Sequence, residues 1–72
     1  MLEARIKKII GKLPEQNSLF DFLIKWEGGG ERKVDLTIKG LQGLVDEHGS
    51  PSPHAGLAKL ASVQLNNQQI WP

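Results

Sequence analysis

The sequence predicts a small α+β protein: an antiparallel sheet of four to five strands, with one or two short helices packed on one face. Three observations carry this. Phe20, Phe22, Ile24 and Trp26 share one parity, opposite Leu19, Asp21, Leu23 and Lys25, which is the pattern of a strand with one oily face. Gly28-Gly29-Gly30 follows at once and supplies the positive φ that a hairpin turn needs. A second alternating pair of runs closes the chain around Asn66-Asn67, with helical spacing in between.

The first segment fits two patterns. Leu2, Ile6, Ile9, Ile10 and Leu13 fall at helical spacing, while Ile6, Lys8, Ile10 and Lys12 fit a strand with snorkelling lysines. The spacing favours the helix by a small margin. Pro14 ends the element either way, because its ring removes a donor and restricts the residue before it. After the aromatic strand and the glycine turn, Val34 and Leu36 point inward on a short return strand, with Arg32, Lys33 and Asp35 facing out or edge-on. A helix then carries Ile38, Leu41, Leu44 and Val45 on one face. Thr37 or Asp35 caps its start, a cap being the expected role of Asp35 in preference to a place in a site, and Gly49 is its expected C′ residue. Gly40 and Gly43 weaken it, or permit close packing on the sheet.

Ser50-Pro51-Ser52-Pro53 reads as a loop leading into a second helix, with Ser52 as N-cap and Leu57, Leu60 and Ala61 as its buried stripe. Ser62–Leu65 and Gln68–Trp71 form the closing hairpin. Asn66-Asn67 suits a type I′ turn, and Pro72 stops the ladder.

Seventy-two residues make a single domain, 1–72, with a thin core. There is no cysteine, hence no disulfide and no thiolate metal site, which suits a reducing cytoplasm. Nine Lys/Arg meet eight Asp/Glu, for a net charge of +1, which is neither a nucleic-acid footprint nor an acidic tail. No apolar run is long enough to span a membrane. Residues 1–13 hold four cationic side chains and no long apolar core, unlike a secretory signal.

The chain resembles the small bacterial proteins of the domain of unknown function 2442 family. The likeness rests on Leu13-Pro14 ahead of an apolar strand, then Trp26-Glu27-Gly28-Gly29, Arg32-Lys33-Val34-Asp35-Leu36, and the closing Ile70-Trp71-Pro72. The stretch from Pro14 to Gly28 is a few residues longer than is usual there, and the glycine- and aspartate-containing tail that often follows tryptophan-proline is absent. The resemblance implies an antiparallel sheet with helices on one face. It moves Arg5–Lys12 from helix to strand. Some members neighbour toxin-like genes, which implies an antitoxin-like role.

Chemistry finds little to work with. Nucleophilic catalysis needs a Cys, Ser or Thr held by a base. The only histidines, His48 and His54, flank the serine-proline loop and read as exposed loop residues. Asp46, Glu47, His48 and His54 are the residues that could be called a metal cluster, but adjacent helical residues diverge rather than converge on an ion, and no spacing matches a zinc or calcium signature. The glycine run opens a strand, not a helix, so it is no phosphate cradle. No cofactor and no metal is expected.

The expected function is therefore a non-enzymatic binding module for a macromolecular partner. The partner is a protein, either a cognate toxin-like or inhibited protein or a second copy in a homodimer. A nucleic-acid-binding accessory domain is the alternative, because Lys7, Lys8, Lys12, Lys25, Arg32 and Lys33 give the first half a basic flavour. The partner-binding candidates are Trp26, Arg32, Lys33 and Trp71. Tryptophan is enriched at binding centres, although core anchoring is the plainer role for both.

Overall fold

The computed structural model describes residues 2–49 and 56–72. The order of elements is α1 (Leu2–Ile10), β1 (Phe20–Trp26), β2 (Glu31–Leu36), α2 (Ile38–His48), β3 (Leu60–Leu65) and β4 (Gln68–Trp71). The strands form one antiparallel sheet in the order β2-β1-β3-β4. This is the predicted α+β class, with four strands.

The first segment is a helix, which corrects the strand implied by the resemblance for Arg5–Lys12. Leu2 and Ile6 are buried, and Ile9 and Ile10 pack beside them. As a strand, the segment would put Ile9 on the opposite side from Ile6 and Ile10. Glu3 in the first turn and Lys7 and Lys8 in the last complement the helix dipole. Gly11 ends it at φ 78°, its N–H bonded to the Lys7 carbonyl at 2.8 Å, the left-handed cap that favours glycine. Leu13 lies beyond that stop and is 65% exposed, so it does not extend the buried stripe.

β1 sits between β2 and β3 with Phe22 opposite Val34 on one side and Leu65 on the other. Phe22, Ile24, Val63, Leu65 and Ile70 are buried on the face that carries both helices. The glycine run makes the predicted turn, with φ between 95° and 100° at Gly28, Gly29 and Gly30. Asn66 and Asn67 have φ of 51° and 64°, as a type I′ turn requires. Two irregularities shape the ladder. Lys25 pairs with Ser62 but Trp26 pairs with Leu60, leaving Ala61 as an extra residue. Gln64 pairs with Gln69 but Val63 pairs with Trp71, leaving Ile70 extra. The second bulge lets two consecutive residues, Ile70 and Trp71, both pack on the helix side.

Two expectations around α2 are corrected. Thr37, not Asp35, is the N-cap: its Oγ1 accepts from the Gly40 N–H at 3.1 Å. Asp35 is an exposed residue of β2, two positions before the cap, on the sheet face away from the helices and directly opposite Asp21. Gly49 is the C-cap at φ −89°, so left-handed geometry is not what it supplies. A Cβ there would come within 2.6 Å of Trp71 Cζ2, so its service is room for the indole.

The predicted second helix falls partly on residues 50–55, outside the described residues. Of its buried stripe, Leu57 is 39% exposed, and Leu60 and Ala61 belong to β3. Pairing with the central strand outweighs a three-residue apolar spacing that suits either structure. No helix among the described residues is long and apolar enough to cross a membrane.

Gly43 lies mid-helix, and a Cβ there would meet nothing within 4 Å. The Gly43→Ala substitution should therefore raise stability by about 0.5–1 kcal/mol, the intrinsic helix difference. Thermal denaturation followed by circular dichroism should show a midpoint several degrees higher.

Candidate protein-binding edge and groove

Among the described residues β2 has one neighbouring strand only, β1, so the other side of its backbone is unpaired there. An open edge is a template for another strand, and β2 is the longer of the two edge strands. α1 lies over the other edge strand, β4, and Arg5 donates from Nη1 to the Ile70 carbonyl there at 2.8 Å.

Alternation decides which side chains border the open edge. On the helix side of the sheet, β2 presents Arg32, Val34 and Leu36, opposite Ile24, Phe22 and Phe20 of β1. α2 passes above them with Gly40, Gly43, Leu44 and Glu47. Glycine at two successive turns leaves space where side chains would otherwise fill the gap. The result is an open groove of about 490 Å³ between β2 and α2, with Trp26 among the residues that line it. Val34, Leu36 and Leu44 stay only partly covered.

On the other face β2 presents Glu31, Lys33 and Asp35, all exposed. Glu31 lies 3.9 Å from Lys25 on the neighbouring strand. Lys33 is opposite Leu23, and Asp35 is opposite Asp21, a like-charge pair that opposes sheet pairing. Among the described residues, neither Lys33 nor Asp35 has a partner within ion-pair distance.

The sequence candidates separate accordingly. Trp26 and Arg32 line the same groove. Arg32 shares the parity of Val34 and Leu36, so it faces the helix side rather than out or edge-on. Lys33 lies on the opposite face, where with Asp21 and Leu23 it borders a separate recess of about 430 Å³. Trp71 lies two strands away from the groove, against Gly49.

Both tryptophans share one mechanical role, which the sequence did not reveal. They hold the C-terminal end of α2 through adjacent residues, Trp71 at Gly49 and Trp26 at His48. His48 packs edge-on against Trp26, with ring centroids 5.2 Å apart and planes at 80°. Its side chain is 17% exposed, so it is not the exposed loop residue expected. Its Nδ1 is 2.9 Å from the Ala58 carbonyl oxygen, and since a carbonyl only accepts, Nδ1 is the donor. Glu27 and Lys59 pair at 3.1 Å and tie the hairpin tip to the chain entering β3. His54 lies outside the described residues. The groove residues Gly43 and Leu44 were read from sequence only as helix positions. The spacing of two glycines, three apart on a helix that follows an edge strand, was the signal for open space.

The fold is thus a two-layer α+β domain, one antiparallel sheet with two helices on one face. No family model, curated protein or solved structure matches this chain.

Proposed function

We propose that this protein is a non-catalytic binding module that takes up an extended segment of a protein chain as a further strand beside β2. The observation that carries the reading is an apolar groove running alongside an unpaired strand edge. Strand addition draws affinity from main-chain hydrogen bonds, and specificity from pockets for alternate side chains. Here the edge of β2 supplies the first, and the space over Val34 and Leu36 supplies the second. A toxin-like protein, as the family resemblance implies, is one partner of this kind.

Charge placement argues against the nucleic-acid alternative. A phosphate backbone is met by one basic face. Arg32 and Lys33 lie on opposite faces of β2, and Lys25 and Lys59 each lie beside a glutamate. His48, the one histidine among the described residues, packs on Trp26 and bonds the Ala58 carbonyl through Nδ1, while its Nε2 lies 4.0 Å from the exposed carboxylate of the adjacent Glu47.

A displayed library of random peptides tests the reading. Selected binders should carry apolar residues two apart, and a Gly43→Leu variant, whose side chain fills the groove, should bind them at least about tenfold more weakly while melting cooperatively. Binders without that alternation, or equal binding by the variant, would overturn it.

A further inference from the structure

The charge pattern of β2 is complementary to itself in one register only, and we infer that the strand β2 accepts is β2 of a second copy of this chain. This rests on the strand-addition reading and names its occupant. In an antiparallel pair related by a two-fold axis, directly opposite residues share a face. The axis must therefore pass through a residue, not between two.

Each of the six centres can be checked against the sequence of the strand. Centring on Glu31 opposes two glutamates; centring on Arg32 sets Glu31 opposite Lys33 but drives two arginines together; centring on Leu36 forms no opposite-charge pair. Centring on Lys33 opposes that lysine to its own copy and sets Glu31 against Asp35. Centring on Asp35 opposes two aspartates. Centring on Val34 sets Lys33 opposite the partner's Asp35, and Asp35 opposite the partner's Lys33, on the solvent face. On the helix face the same register sets Val34 against its copy and Arg32 against Leu36, with no like charges opposed. It also answers two features the single chain leaves open. Lys33 gains a carboxylate, and Asp35, which faces Asp21 within its own sheet, gains a cation. The product is a continuous eight-stranded sheet with all four helices on one side, in which both open β2 edges are consumed.

The test is a charge swap read by analytical ultracentrifugation over a range of concentrations. The native chain should associate to a dimer. Lys33→Asp and Asp35→Lys should each raise the dissociation constant at least about tenfold, because each turns two opposite-charge pairs per dimer into like-charge pairs. The double variant K33D/D35K restores opposite charges in the same register and should return to within about threefold of the native value. Both sites are exposed, so all four proteins should fold and melt cooperatively by circular dichroism. A native chain that stays monomeric up to millimolar concentration overturns the inference, as does a double variant that dissociates like the single ones. If the native chain is monomeric while groove-directed peptides still bind and Gly43→Leu still abolishes that binding, the dimer alone is wrong. If both fail, the strand-addition reading falls with it.

Discussion

Phe22→Ala should leave the protein largely unable to hold its fold. Phe22 is 0% exposed, at the centre of β1, with Val34 opposite on one side and Leu65 on the other. Truncating a buried phenylalanine costs about 3–5 kcal/mol, transfer and cavity together. At the usual 0.05–0.15 kcal/mol per residue, a chain of 72 residues has about 4–11 kcal/mol in all. With a urea dependence of about 1 kcal/mol per molar for so small a domain, the midpoint should fall by about 3 M or more. Tryptophan fluorescence follows the transition. Leu13→Ala, at a position 65% exposed, serves as the reference and should shift it hardly at all. A Phe22→Ala protein with a near-native midpoint would mean that β1 does not organise the interior.

Gly49→Ala should destabilise, although Gly43→Ala, six residues earlier, should do the opposite. Six residues at 1.5 Å each make that spacing about 9 Å along the axis, so the two glycines share a helix but not an environment. At Gly49 a Cβ would lie 2.6 Å from Trp71 Cζ2 and 2.5 Å from the Val45 carbonyl oxygen, which accepts from Gly49's own N–H. Overpacking of that kind costs about 1–3 kcal/mol, worth at least about 4 °C in a domain of this size. The cause can be isolated by a double-mutant cycle. In a Trp71→Leu background the indole is gone, and the cost of Gly49→Ala should shrink by about 0.5 kcal/mol or more. An unchanged cost would remove the indole as its source.

Much of this architecture was legible in the sequence wherever two signals agreed. The alternation from Phe20 to Trp26 and the glycine turn after it point to one hairpin, and the structure has it. Asn66-Asn67 between alternating runs located the other. At α1, helical spacing competed with a family likeness. The deciding residue was Gly11, whose left-handed cap terminates a helix and has no purpose in a strand. At Leu60-Ala61, the bulge absorbed one residue of the strand period, so the segment imitated a helical stripe. Asp35 was misjudged as a cap because charge near a helix start is visible in sequence, whereas the facing Asp21 is visible only once the register is known. The groove was the hardest feature to foresee. It depends on what two helical glycines leave empty over a strand, and emptiness has no residue of its own.

The two hairpins also dictate an order of assembly. β1 with β2, and β3 with β4, are each joined by a tight turn and form from neighbours along the chain. The remaining ladder, β1 with β3, brings Trp26 to Leu60 across α2 and everything after it. Closing so long a span costs chain entropy that only the completed apolar layer repays, and pairings of high sequence separation are the slow ones. Commitment to the native topology thus falls on the seam between the halves, and the rate at which this chain folds is set there.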